Sequence, residues 1–266
     1  DHKQLPAVVM QNEEESKVED SRLNAIGLSN CRCSLFERLL SLHGNNPRLV
    51  YCMERQGRMH PEVASFPNKA FYQERLRPVP LAHQQQDLSY SSELANPLEK
   101  WISSHRLLYW NSPLPSDSHS LKTNLPEARI IALSVYSIWN LYRKSGKRFD
   151  SAESVGIIVP YRNQIAMIRK EIASYGVDEL LDITVDTVER YQGSERDVMI
   201  YGFTVQRHNQ LSFLTENVFE EEGCLIDRKL NVALTRAREQ MILVGNERLL
   251  SQNSTFRKLI EHIRLN

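Results

Sequence analysis

Nothing in the 266 residues reads G-x-x-x-x-G-K-[S/T], the glycine-rich loop and lysine that cradle nucleotide phosphates. No acidic box stands in the expected form to hold magnesium. Taken alone, the chain is therefore not expected to hydrolyse a nucleoside triphosphate. Charge of one sign is missing too: 33 Lys and Arg balance 33 Asp and Glu, for a formal net charge of zero. That excludes a wholesale cationic attraction to nucleic acid, though not a local basic groove. The 4 cysteines, Cys31, Cys33, Cys52 and Cys224, show no C-x-x-C pairing. The C-R-C step has no second pair or histidine cluster to complete a metal site, so the thiols read as buried or free and no metal is expected. Such usage fits a reducing compartment, hence an intracellular protein of cytoplasm or nucleus. No signal-peptide pattern and no apolar run of membrane-spanning length occurs, so no membrane partner is expected. The chain opens inside a motif, which leaves any upstream targeting signal out of view.

Apolar residues make up 41% and charged residues 25%, ordinary values for a globular protein with a sizeable core. The stretch from Ile183 to Gly245 organises the rest. ITVDTV is a short β-branched strand, and VERYQGSERD is a charged knot containing a glycine. VMIYGF and MILVG are nearly all apolar, as strands buried on both faces of a parallel sheet are. NVALTRAR between them reads as a helix. Leu230, Ala233, Leu234 and Ala237 share its sheet-facing side, and Arg236 and Arg238 flank that side, pointing apart. On this helix alone both arginines are solvated charges. The two charged knots stand at sheet edges, where ligands bind in open α/β sheets.

The other elements follow in order. SLFERLLSLHG is an amphipathic helix capped by Ser34 and ended by Gly44 and Asn45. Arg48–Met53, RLVYCM, reads as a strand. Leu81 to Asn124 reads as a loop-rich insertion with a helix near Asn96–Ser103 and a strand at Arg106–Trp110. Pro126 opens a long helix that ends at Gly146. VGIIVP is a buried strand, followed by the helix YRNQIAMIRKEIASYG. Phe213 to Cys224, with its acidic run, reads as a surface loop. Two terminal helices close the chain, the second capped by Ser254.

VDTVERYQGSERD followed by LNVALTRAR, with RQGRMHP and DHKQLP upstream, resembles the superfamily-one helicases of the Upf-like branch. Four ordered motifs, running nearly end to end, carry this resemblance. It implies an α/β, RecA-like fold: a mainly parallel sheet flanked by helices, the second of two motor domains. Residues 1–45 would be the tail of the first motor domain with its connecting helix, and residues 46–266 the second domain. The implied ligands are ATP with Mg2+, the magnesium held by the first domain of the same polypeptide, and single-stranded DNA or RNA. Matched position by position, Gln4 senses the γ-phosphate, and Arg58 and Arg236 reach it. Glu195 accepts from the ribose hydroxyls, Gln192 and Gly193 shape its loop, and Gln56 matches the motif glutamine on the nucleotide-binding side. Tyr161, Arg162, Asn163, Asp186 and Thr187 lie on the nucleic-acid track. Where the family commonly places a tyrosine that stacks on adenine, this chain has Gly57. That departure and the zero net charge leave a second reading open, a silent nucleic-acid-binding or protein-interaction module with a helicase fold.

Overall fold

The computed structural model describes every residue except 7, 8, 10, 45, 118, 119 and 266. Asn45, expected to help end a helix, and Ala7 and Val8 of the opening motif lie outside the described residues. The chain divides into two compact units, Asp1–Glu54 and Arg55–Asn266.

In the first unit, helix Leu35–His43 begins with a reciprocal cap. The Ser34 hydroxyl accepts from the Glu37 amide, and the Glu37 carboxylate accepts from the Ser34 amide. The expected strand at Arg48–Met53 is not formed; Tyr51 and Met53 are 87% and 79% exposed. Among the described residues no strand pairs with it, and an unpaired strand has no ladder to hold it extended.

The second unit carries β1 (Arg55–Gln56), β2 (Arg77–Pro78), β3 (Leu107–Asn111), β4 (Val155–Ile158), β5 (Thr184–Asp186), β6 (Arg196–Gly202), β7 (Val218–Glu221), β8 (Cys224–Asp227) and β9 (Ala237–Gly245). Five strands form one sheet in the order β3-β9-β6-β4-β5, every neighbouring pair parallel. This is the RecA-like α/β arrangement that the apolar runs and motifs imply. β6 and β9 lie inside it, and Val198, Met199, Ile200, Met241, Ile242, Leu243 and Val244 are all inaccessible to solvent. Val198, Ile200, Ile242 and Val244 pack into a core with helices Leu125–Lys144 and Arg162–Ala173. Their alternates, Met199, Tyr201, Met241 and Leu243, face the other layer, as the period of a strand requires. After β4 the chain moves to β5 on one side; after β6 it moves to β9 on the other. The direction of winding therefore switches between β4 and β6.

Three local expectations are corrected. The helix of LNVALTRAR is Arg228–Leu234 only; Thr235 caps it and Ala237 already belongs to β9. Continuing the helix would have cost the strand its pairing with Arg196. The acidic run is not a loop but an antiparallel hairpin, β7 with β8, turned by Glu222 and Gly223 at φ 50 and 75. Two left-handed residues are what a two-residue hairpin turn needs. The last helix, Ser254–Leu265, is capped by Asn253, whose side-chain oxygen accepts from the Thr255 and Phe256 amides.

Two buried contacts brace the sheet. Tyr191 lies against β4: its hydroxyl donates to the Thr184 carbonyl at 2.6 Å and accepts from the Ile157 amide at 3.2 Å. The approach is possible because residue 156 is glycine; a Cβ there would stand 2.6 Å from the Tyr191 oxygen and 2.7 Å from Arg196 Cγ. Beyond the end of β6, Thr204 adopts φ 52, unusual for a branched residue. The fully buried Glu127 holds it there, accepting from the Thr204 amide at 2.8 and 3.0 Å and from its hydroxyl at 2.8 Å.

Gly156→Ala should cost about 1–3 kcal/mol, the usual penalty for overpacking a core, read from the urea midpoint. Burial pushes the Glu127 carboxyl up from 4.5 to about 8. The folded state thus binds this proton more tightly than the unfolded chain. The resulting stabilisation is full below pH 4.5 and is lost as pH rises through about 8. The melting temperature of the wild type, relative to Glu127→Gln, should therefore fall between those limits; a difference flat with pH would show a carboxylate ionised throughout.

Candidate functional site

Three segments meet at the N-terminal ends of β6 and β9. The first is the turn after β1, Gly57 to His60. The Gln56 side chain folds it, accepting from the Met59 amide and donating to the Met59 carbonyl, each at 2.8 Å. Gln56 thus shapes the loop from within. Gln84 adds bonds to the carbonyls of Gln56 (3.1 Å) and Met59 (2.8 Å), and His83 bonds the Arg58 carbonyl at 2.9 Å. His60 caps helix Pro61–Phe71 and its amide donates to the Arg238 carbonyl at 2.7 Å, which ties the turn to β9. Burial holds its imidazole at a pKa of about 4, so it is neutral at physiological pH.

The second segment is the turn into β6. Gly193 sits at φ 89, a conformation glycine adopts without strain. The turn places Glu195 beside Arg58, whose Nε donates to the carboxylate at 2.6 Å. Arg58 also donates to the Thr235 carbonyl at 3.1 Å. The third segment is Thr235 to Arg238. The Arg196 amide donates to the Arg236 carbonyl at 3.1 Å, so Glu195 and Arg236 stand at neighbouring strand starts.

Arg236 and Arg238 do not point apart, as a continuous helix would have made them. Arg238 Nε lies 3.9 Å from Glu195 and its guanidinium 3.5 Å from Asp197. Arg236 is only 2% exposed, and its Nε donates to the Val232 carbonyl at 3.1 Å. Burial, then the nearby charge of Arg58, lowers its pKa to about 10, which leaves it cationic at neutral pH. The hydrogen bond from Arg58 holds the Glu195 carboxyl below the usual carboxylate range. The cluster is a concentration of guanidinium groups around one exposed carboxylate, suited to a polyanion that carries hydroxyls.

Gly57 stands beside Leu81, whose Cδ1 would lie 3.2 Å from a Cβ at that position. Aliphatic surface therefore borders the place where the motif commonly has a ring. Gln4 belongs to the Asp1–Glu54 unit. The residues alone do not point to His83 or Gln84, which lie in a stretch that carries no periodic signal; Arg238 is conspicuous in the sequence, but its place is in β9 and not on a helix.

The predicted track residues are at the C-terminal ends of the strands, away from the arginines. Tyr161 follows β4 and stacks on Phe213, with ring centres 5.2 Å apart. Arg162 and Asn163 are exposed at the start of helix Arg162–Ala173. Asp186 ends β5, and its side chain accepts from the Thr187 amide at 2.8 Å. Sequence reasoning placed ligand-binding loops at the sheet edges without separating the two ends; the fold assigns the predicted residues of Arg55–Asn266 to one end or the other.

A family model described as an AAA domain matches residues 31–248. A probable helicase of Dictyostelium discoideum is 29% identical over 236 residues, covering 88% of this chain and 21% of that protein. Regulator of nonsense transcripts 1 of the same organism is 32% identical over 271 residues, covering 99% and 17%. Helicase SEN1 of Saccharomyces cerevisiae is 28% identical over 221 residues, covering 79% and 9%. The chain thus spans at most 21% of the length of these relatives. With its motifs in order on a RecA-like sheet and the family model matching most of its length, the chain belongs to the AAA domain family, as a C-terminal region of the Upf-like branch of superfamily-one helicases.

Proposed function

We propose that this chain is the second motor domain of an ATP-dependent helicase or translocase that moves along single-stranded DNA or RNA. The observation that carries the reading is the meeting of Arg58, Arg236 and Arg238 with Glu195 at the starts of β6 and β9. Arg58 and Arg236 would contact the γ-phosphoryl group of ATP and neutralise the charge that grows on it as the bond breaks. Arg236 acts from a buried position, where the weak dielectric strengthens its field. Glu195 would accept from the ribose hydroxyls. Both roles require the Arg58–Glu195 pair to open when the nucleotide enters. Magnesium bound with the nucleotide would neutralise phosphate charge, and its acidic ligands are assigned to the preceding motor domain of the same polypeptide. Among the described residues, no group of three or more His, Cys, Asp and Glu side chains is placed to hold a metal. Gln4 as a phosphate sensor rests on its motif, and residues 1–45 as the tail of the first motor domain rest on the same resemblance.

Tyr161, Arg162, Asn163, Asp186 and Thr187 would grip the strand at the other end of the sheet. Rings serve unpaired bases, and guanidinium and amide groups serve phosphates. Hydrolysis would then be coupled to movement by closure and reopening around the nucleotide.

Single-turnover hydrolysis of ATP by the full-length protein, with and without single-stranded DNA and RNA, tests the motor. Stimulation by one strand type would name the track. Arg236→Ala and Arg58→Ala should each lower the rate by roughly 10³-fold or more, the contribution of an arginine finger, while strand affinity stays near that of the wild type. No hydrolysis under any condition would end the motor reading in favour of a silent binding module. The chain from Asp1 to Asn266, purified by itself, should not turn over ATP at all; turnover unaffected by Arg236→Ala would remove the assignment.

A further inference from the structure

Phe213 has no assigned role, yet it is set in an unusual way for a ring on a globular domain. It lies in the short helix Gln210–Leu214, beyond the end of β6, and is 39% exposed. Its ring is stacked on Tyr161, with centroids 5.2 Å apart and planes 14° from parallel. Tyr161 follows β4, so the two rings join loops from the two strands between which the winding switches. Crevices outside the carboxyl ends of strands at such a point are where open α/β sheets take ligands. The stack continues inward to a cation: Lys229 Nζ lies 4.3 Å from the Phe213 ring centre. Lys229 is 5% exposed and bonds to the Phe213 carbonyl at 3.3 Å and to the carboxylate of Glu216, with Glu189 at 3.6 Å.

Gln210 fixes this arrangement from below. Its side-chain amide donates to the Tyr161 hydroxyl at 3.2 Å, to the Leu121 carbonyl at 2.7 Å and to the Thr204 carbonyl at 3.4 Å. Its oxygen accepts from the amides of Gln206 at 2.9 Å and Arg207 at 3.1 Å. One buried side chain thus sets the tyrosine ring and the backbone after β6 together. A stacked aromatic pair inside a core would be closed to water. This pair is partly open, pre-aligned, and next to the exposed Arg162 and Asn163.

We propose that Tyr161, backed by Phe213 and Lys229 and positioned by Gln210, is a platform on whose outward ring face an unpaired base of the nucleic-acid strand stacks. This rests on the reading that the C-terminal edge of the sheet carries the strand. Stacking tolerates any base, because each presents a π-face. The platform supplies affinity for bases as such, and Arg162 and Asn163 supply affinity for the backbone.

The test separates bases from backbone. Fluorescence anisotropy of the full-length protein is measured with a labelled oligothymidylate and with an abasic strand of equal length. The wild type should bind the thymidylate strand about tenfold more tightly, the scale of one base stacked on an aromatic ring. Phe213→Leu should bring the two affinities together while leaving abasic binding unchanged, and Tyr161→Leu should likewise abolish the preference for the thymidylate strand. Phe213→Trp, which restores a ring, should restore the preference and guards against a mere folding defect. Arg162→Ala should weaken both probes alike. Equal binding of both strands by the wild type, or a preference that survives Phe213→Leu, would overturn the platform and leave the strand grip standing. Binding of neither strand would remove the grip, and the platform with it.

Discussion

The parallel pairing of β6 with β9 decides where each charged group at their starts stands. The Arg196 amide bonded to the Arg236 carbonyl puts the turn that carries Glu195 beside the turn that carries Arg236. A register irregularity between Arg196 and Val198 marks the place where the ladder gives way to the cluster. The turn that carries Arg58 is fastened to the same strand through His60 and the Arg238 carbonyl. Each contact is a backbone bond, so it holds whatever the side chains above it are doing. Remove the pairing and the arginines of the site have no common frame.

The charges themselves are held more loosely. The Arg58 and Glu195 side chains are 31% and 45% exposed. Ion pairs at such exposure contribute about 0–1 kcal/mol, because water competes for both partners. A polyphosphate would offer several acceptors in place of one, so on the proposed reading exchange would be inexpensive for Arg58. Arg236 differs. It is buried, and its Nε bond to the Val232 carbonyl belongs to the end of helix Arg228–Leu234. Its position is part of the fold, whereas that of Arg58 belongs to the side chain.

Much of this was legible in the residues, and the failures have physical reasons. β4, β6 and β9 are apolar on both faces, a pattern that only a sheet covered on both sides explains. The helices starting at Leu35 and Leu125 announce themselves through Ser34 and Pro126. LNVALTRAR misled because leucine, alanine and arginine all favour helix. Tertiary pairing overrode that preference at Ala237 and turned Arg238 toward Glu195. The acidic hairpin was missed because glutamates are poor strand formers, and its turn residue Glu222 is not a usual left-handed residue. Phe213 and Gln210 carry no periodic signal. Their placement is set by long-range contacts, to Tyr161 and Leu121, that no window along the chain contains.

β6 and β9 also have a mechanical aspect. They are seven and nine residues long and almost wholly enclosed. At about 3.3 Å per residue each is a strut of roughly 20–30 Å, running from the arginine cluster at one end to the aromatic pair and the Thr204 turn at the other. Close-packed interiors yield little to compression. A push at the lower end would therefore be delivered to the upper end as displacement instead of being absorbed between them, which would keep the arginine cluster and the aromatic pair in fixed phase.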